Sequence, residues 1–440
     1  MVQRHDALRT AFVVEEGQIV QVVAPATPLE IPTTVLEPRA GESMEACIRR
    51  AADEEVAVTF DLELGSLHRW RLLELDPTHH VLLVTVHHIV ADAWAMSLLF
   101  GELGKFYAAN RAGAPSPLPS LPFQFTDFAV WQREAASSPG VLADVAYWRA
   151  QLAGGKEVSL GAAIGEPPRN VLASTKLDAE RLVESMMAFA RAEKISPLAV
   201  AIAAASVALR RAGAGDDFVV LAPFMNRDEI AHAHAIIANL VDRMMIRADL
   251  GGDPTFREVL ARTERRLNDG RIHARVSSRL VRGSGEPSTT ATTLGGRSPF
   301  TSLCTMNFVP PPVAVDVGGL RYPYPLPILP GYPRGNRLFS NVTIYLLPTP
   351  CGPEFAVAAN VSDEGVAHVA SLFTQSLTAL LADPDAPIGD PAPASIDRLL
   401  AALRRSRDPP VAAWPRPRPN ARHVAPWPPP VRRSTTARPT

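Results

Sequence analysis

Short apolar runs alternate with longer amphipathic stretches through the first half of the chain. The pattern predicts strands over residues 10–14, 19–23, 67–74 and 81–87 and helices over residues 44–60, 94–111, 125–134 and 141–152. Residues 1–9 are predicted to be the end of a helix. The last two strands are predicted to pair across the tight connection at Asp76 and Pro77. This alternation is typical of an α/β lobe.

The second half repeats the alternation. The pattern there predicts helices over residues 179–193, 197–211, 254–269 and 366–381 and strands over residues 217–224, 300–309, 340–347 and 355–361. Glycine and proline interrupt the pattern at residues 154–172, which we interpret as a linker between a lobe of residues 1–153 and a lobe of residues 173–395. Residues 404–440 are rich in proline and arginine and are predicted to be disordered. A ligand site between the two lobes is expected.

Composition narrows the possible partners. The formal charge of the 440 residues is -1, so no global electrostatic argument exists for binding nucleic acid or a membrane surface. The three cysteines, Cys47, Cys304 and Cys351, are scattered and form no CxxC pair, which favours a reducing, cytoplasmic location. No uninterrupted apolar span reaches about 18 residues. We therefore expect neither a nucleic-acid nor a membrane partner. A monomer is also expected.

The main candidates for catalytic residues lie where the strand at 81–87 ends. His87 and His88 end that strand, and Asp92 follows four residues after the second imidazole. Successive strand residues point to opposite faces, so only one imidazole can face a given cavity and the other must be held by its neighbours. Asp92 lies where a helix begins, so it can cap that helix or anchor an arginine. A buried structural histidine is the simpler alternative.

A metal site is a further alternative. The histidines that would supply it show no ligand spacing with a carboxylate in place: they are His79, His80, His87, His88, His232 and His234.

Six segments in order along the chain resemble the motifs of one family. They are residues 4–12 (RHDALRTAF), 87–93 (HHIVADA), 147–152 (YWRAQL), 223–227 (PFMNR), 239–256 (NLVDRMMIRADLGGDPTF) and 298–308 (SPFTSLCTMNF). The family is that of the condensation domains of nonribosomal peptide synthetases, which are relatives of chloramphenicol acetyltransferase. The resemblance implies a fold of two acetyltransferase-like α/β lobes in a V, with the active site in a tunnel between them.

The resemblance also implies an activity: an amide or ester forms between an acyl or aminoacyl donor and an acceptor. Both substrates are carried on the phosphopantetheine arms of carrier proteins, and no cofactor is tightly bound. His88 matches the histidine that accepts or orients the amine proton, and His87 matches the structural histidine. Asp92 matches the aspartate that pairs with an arginine, and the candidate partners are Arg4, Arg9 and Arg227.

One position of the histidine motif departs from the family pattern. Ala93 replaces the motif glycine, and Ala93, Trp94 and Asn307 are candidates for lining the tunnel or stabilising an oxyanion. An alanine would strain the turn if the backbone there has positive φ, but it would still supply an N–H.

The family's opening segment is absent before residue 4, which predicts an N-terminally truncated domain. No adenylation or carrier-protein motif occurs, so donor and acceptor carrier proteins are expected in trans. An inactive module that binds carrier proteins or tailoring enzymes is the alternative.

Overall fold

The structure is a computed structural model, and it describes most of both predicted lobes. The described residues are 1–153, 173–176, 181–227, 230–276, 280–281, 304–308, 342–349, 352–359 and 363–389. The predicted linker at 154–172 and the predicted tail at 404–440 lie outside the described residues.

The first half contains five strands and four helices. The strands are β1 (Thr10–Glu15), β2 (Gln18–Val23), β3 (Thr33–Val35), β4 (His68–Asp76) and β5 (His79–Val86); the helices are α1 (Met44–Ala57), α2 (Ala93–Arg111), α3 (Phe125–Ala135) and α4 (Pro139–Leu152). β1 and β2 form the predicted hairpin, whose turn residues Glu16 and Gly17 both have positive φ. β4 and β5 pair antiparallel as predicted, and β3 adds to β4 in parallel.

In the described part of the second half, the central sheet has six strands. The elements of this part are β6 (Ala173–Lys176), α5 (Leu182–Glu193), α6 (Pro197–Leu209), β7 (Asp217–Met225), β8 (Val241–Asp249), α7 (Phe256–Ile272), β9 (Cys304–Phe308), β10 (Val342–Thr349), β11 (Gly352–Ala359) and α8 (Asp363–Ala382). The strand order is β6-β11-β10-β9-β7-β8. β9 lies parallel to β7 and β10, and the other pairs are antiparallel. This mixed sheet with helices confirms the predicted α/β class.

Four local predictions were wrong or incomplete. The predicted helix end at residues 1–9 is a single 3₁₀ turn, Asp6–Arg9, followed at once by β1. Three strands were not predicted: β3 and β6 are only three and four residues long, and β8 carries charged residues at both ends of a short apolar centre. Their apolar patterns are too short to identify a strand, and pairing with β4, β11 and β7 stabilises them instead.

The two halves exchange pieces of their cores. Val145, Trp148 and Leu152 of α4, at the end of the first half, are buried in the core of the second half. In return, residues 230–240, which connect β7 to β8, place Ile236, Ile237 and other apolar side chains in the core of the first half. Each core is therefore completed by a segment from the other half of the sequence.

Two helices of the described part are long and apolar enough to cross a membrane by length and composition. The apolar spans are Pro197–Ala214, which contains α6 and the helical turn after it, and Gly365–Ala382, which lies in α8; 72% and 56% of these spans are buried inside the fold. Both pack into the second-half core, where every residue from Ala199 to Leu209 is buried. We therefore assign them as core helices.

Candidate functional site

The two adjacent histidines lie in a tight connection between β5 and α2. β5 ends at Val86, and the His87 N–H still donates to the Leu67 carbonyl, next to β4, at 2.9 Å. The His87 carbonyl then accepts from the Val90 N–H at 3.1 Å, which turns the chain towards α2. His88 therefore sits in the turn after the strand rather than on the pleated sheet.

His87 is the imidazole held by its neighbours. It is half-buried, its Nδ1 accepts from the Ile89 N–H at 3.1 Å, and the Phe60 ring packs edge-on with centroids 5.7 Å apart. Burial, together with the charge of neighbouring His88, lowers the pKa of His87. His87 is thus a neutral imidazole at pH 7 whose packing fixes the turn.

His88 is the exposed imidazole of the pair. Its side chain makes no hydrogen bond or ion pair with any of the described residues. Because its neighbours His87 and Ile89 are anchored, the turn presents this ring to solvent from a defined backbone position. The described residues therefore leave both ring nitrogens of His88 without a hydrogen-bond partner.

Asp92 both caps α2 and binds an arginine. Its Oδ1 accepts from the Ala95 N–H at 2.8 Å, and Arg227 Nη2 donates to both carboxylate oxygens at 2.9 Å. Oδ2 also accepts from the Leu240 N–H at 3.0 Å. The Asp92 and Arg227 side chains are fully buried, so the pair joins the two halves directly beside the histidine turn.

Arg227 is held by carbonyl groups as well as by Asp92. Its Nη1 donates to the carbonyls of Ala233 and Ile236, and its Nη2 donates to that of Ala238. Burial lowers the pKa of Arg227, and the Asp92 carboxylate opposes that shift. These acceptors keep the guanidinium charged and fix residues 233–240 around it.

The other two candidate partners of Asp92 were wrong. Arg4 donates from Nε to Glu102 at 3.1 Å, and Arg9 pairs with Asp6. Both pairs hold the early turn in place. Distance along the sequence is no guide here, because Arg227 lies 135 residues from Asp92.

The remaining predicted site residues are Ala93, Trp94 and Asn307, and each lies in a different environment. Ala93 is the exposed first residue of α2 and does not have positive φ, so the replacement of glycine causes no backbone strain. Trp94 Nε1 donates to the His234 carbonyl at 3.0 Å, and the two rings meet edge-on. Asn307 lies on β9, and its side chain falls outside the described residues.

His5 and Glu102 were missed by sequence reasoning. His5 is completely buried, and its Nε2 lies 2.7 Å from Glu102 Oε2. The sequence contains a signal that could have identified Glu102. It is the only acidic residue in the stretch 93–104, whose other residues are apolar or small. Such a charge on a buried helix face predicts a partner.

Within the part of the chain that the structure describes, no group of three or more His, Cys, Asp or Glu side chains could hold a metal ion. His79 instead hydrogen-bonds Asp76 in the β4–β5 connection.

A family model for condensation domains matches residues 1–292, about two thirds of the chain. The chain belongs to the condensation domain family. This condensation domain is 33% identical to a linear gramicidin synthase of Brevibacillus parabrevis over 280 residues, 62% of the chain. It is 29% identical to chondramide synthase cmdD of Chondromyces crocatus over 404 residues, 89% of the chain. It spans only 5% and 10% of the lengths of these two relatives.

Solved structures extend the likeness into the second half of this condensation domain. The SgcC5 protein of Streptomyces globisporus matches with a TM-score of 0.70 and 26% identity, over 88% of each chain. The X-domain from teicoplanin biosynthesis matches with a TM-score of 0.71 and 23% identity, over 88% of this chain and 87% of that one. The second match shows that the two share a fold. The predicted family and its acetyltransferase-like fold are therefore confirmed.

Proposed function

We propose that this condensation domain transfers a donor acyl or aminoacyl group from one carrier protein to an acceptor amine or hydroxyl on another. The observation that carries the proposal is the exposure of His88 on a turn fixed by buried groups. Asp92, Arg227 and half-buried His87 hold that turn, while the His88 ring forms no hydrogen bond or ion pair with the described residues. A fixed and accessible imidazole suits proton transfer at a reacting centre.

The proposed reaction exchanges a thioester for an amide. The acceptor amine attacks the donor carbonyl, a C–N bond forms, the C–S bond breaks, and the phosphopantetheine thiol leaves. His88 accepts or orients the proton that the amine loses, and this proton ends on the departing sulfur. Such assistance contributes about 10²–10⁴-fold to the rate.

The start of α2 supports the same reaction. The first N–H groups of a helix have no intrahelical acceptor, and Ala93 is the first residue of α2. An N–H at this end, where the helix dipole is positive, suits the oxyanion that develops on the donor carbonyl. Since Ala93 lacks positive φ, the alanine retains this N–H without strain.

A second candidate function is a module that binds carrier proteins or a tailoring enzyme without catalysis. A structure with the same fold, a complex of the X-domain and OxyB from teicoplanin biosynthesis, provides an example of a bound protein partner.

The test uses carrier proteins supplied as separate chains. Donor and acceptor carrier proteins, loaded with aminoacyl phosphopantetheine, are mixed with the wild type, His88→Ala and the control His80→Ala, which alters an exposed histidine of β5. We expect amide product from the wild type and the control, and a loss of about 10²–10⁴-fold in His88→Ala with unchanged thermal stability. Carrier binding without product in the wild type would instead support the second candidate.

A further inference from the structure

Besides Asp92, which caps α2, a buried carboxylate within α2 has no role in the proposed chemistry. Glu102 lies ten residues after Asp92 and is only 4% exposed. Burial raises the pKa of Glu102, but hydrogen bonds from His5 and Arg4, together with the charge of Arg4, outweigh that effect and lower it. Glu102 is therefore an ionised carboxylate, held at 3.1 Å by Arg4 Nε and at 2.7 Å by His5 Nε2.

His5 uses both of its ring nitrogens although its side chain is completely buried. Its Nδ1 lies 3.3 Å from the Ile237 nitrogen and accepts from that N–H. An imidazole nitrogen that accepts carries no proton, so Nε2 carries the proton and donates to Glu102. The neutral Nε2–H tautomer is thus the form of His5 that satisfies both neighbours.

Ile237 belongs to the segment that borders the histidine turn. One residue later, the Ala238 carbonyl accepts from the Asp92 N–H at 3.3 Å, and the Leu240 N–H donates to the Asp92 carboxylate. At the other end of the segment, the His234 carbonyl accepts from Trp94. His5 holds the middle of this segment between two contacts with the turn and the start of α2.

We propose that His5 is a positioning residue for the condensation reaction, acting through its hydrogen bond with Ile237. This inference rests on the proposed function. Glu102 fixes the tautomer and orientation of His5, and His5 fixes residues 234–240 against the turn that carries His88. A displacement of this segment moves Asp92, and with it the turn. Misplacement by about 1 Å can cost roughly 10²-fold in rate.

Two substitutions separate the two hydrogen bonds of His5. In His5→Asn, the side-chain oxygen can take the place of Nδ1, which keeps the acceptor for Ile237 and removes the donor to Glu102. In His5→Gln, the amide nitrogen can take the place of Nε2, which keeps the donor and removes the acceptor. Steady-state kinetics and hydrogen exchange of the Ile237 amide are measured for both.

We expect His5→Gln to lower kcat by roughly 10- to 100-fold with little change in KM, and to speed exchange at Ile237. His5→Asn should keep most of the wild-type kcat and the protection of Ile237. A purely structural role predicts equal losses in the two variants. Equal exchange at Ile237 in both, or an unchanged kcat in His5→Gln, would overturn the proposal.

A measurement on the wild-type protein keeps the proposal testable if a variant does not fold. Nitrogen-15 spectra of labelled histidine should show His5 with its proton on Nε2 and none on Nδ1, and a protonated Nδ1 contradicts the proposed link. Absence of product from the wild type would contradict the proposed function. Hydrogen exchange of the Ile237 amide and the tautomer of His5 would still test the hydrogen bond between these two residues.

Discussion

At the scale of single residues, Asp92 shows how far the sequence could be interpreted. Its position before α2 predicted either a helix cap or an arginine partner, and the carboxylate does both. The choice of Arg227 could not be made from sequence, since it depends on how β7 is brought beside α2. Arg4 and Arg9 occur in an equally suggestive motif but pair with Glu102 and Asp6.

The buried Asp92–Arg227 pair predicts a large effect of removing its charge. Asp92→Asn leaves the buried guanidinium without its counter-charge and should cost about 3–5 kcal/mol in the free energy of unfolding, measured by urea denaturation. The matched control is Asp216→Asn, which breaks a pair between exposed Asp216 and half-buried Arg210 and should cost less than about 1 kcal/mol. Similar losses in the free energy of unfolding of the two variants would show that burial does not make the Asp92–Arg227 pair more important for stability.

A pH effect on stability is expected from His68. Burial lowers the pKa of His68, although a hydrogen bond to the Leu8 backbone opposes the shift, and Nδ1 accepts from Trp70 Nε1 at 2.9 Å. Below about pH 6.5, His68 therefore binds a proton more readily in the unfolded chain than in the folded protein. The stability of the folded protein falls as the pH decreases from there.

Urea midpoints at pH 7.5 and 5.5 measure this effect. The difference between the two midpoints should be smaller in His68→Gln than in the wild type, while the control His80→Gln, at an exposed position of β5, should keep the wild-type difference. An unchanged difference in His68→Gln would show that another group is responsible.

At the scale of elements, long periodic patterns predicted the fold well and short ones did not. The helices from α1 to α8 and the strands β4, β5, β7, β9, β10 and β11 lie where the pattern placed them, within a few residues. β3, β6 and β8 were missed because pairing with a neighbouring strand, rather than their own composition, makes them strands. The connection at 230–240 was also missed, since its apolar residues match neither period.

The packing of α4 on α7 gives a prediction at one glycine. A Cβ at Gly270 of α7 would lie 3.0 Å from Cη2 of Trp148, which is buried in the second-half core. Gly270→Ala should therefore destabilise the protein by about 1–3 kcal/mol, although alanine favours helix more than glycine does. In the control Gly140→Ala, near the start of α4, a Cβ meets nothing within 4 Å, so stability should stay the same or rise. Thermal unfolding of both variants measures this.

At the scale of the whole molecule, the two halves are joined by polar as well as apolar contacts. Trp148 Nε1 donates to the His273 carbonyl at 2.8 Å, and Tyr147 stacks on the His273 ring with centroids 3.8 Å apart. The Asp92–Arg227 pair and the His5–Ile237 hydrogen bond join the halves on the side of the histidine turn. The sequence predicted two lobes but could not show that each contributes to the core of the other.

Because each half contributes side chains to the core of the other, we predict a single cooperative unfolding transition. Trp148→Ala removes a side chain of the first half from the second core, and Ile237→Ala does the reverse. Each should lower the melting temperature of the same calorimetric peak, with equal van't Hoff and calorimetric enthalpies. Two peaks that respond separately to the two variants would contradict the interdependence of the halves.

Because α4 packs in the second-half core and residues 230–240 pack in the first-half core, the two halves should stay associated after the backbone between them is cut. A protease cut between residues 153 and 173 removes the covalent connection between the halves but none of the buried contacts of α4 or of the 230–240 segment. The two fragments should therefore remain together as one particle during gel filtration and separate only in denaturant. The same fragments, expressed apart and mixed, are the natural starting point for a split protein whose assembly restores the histidine turn.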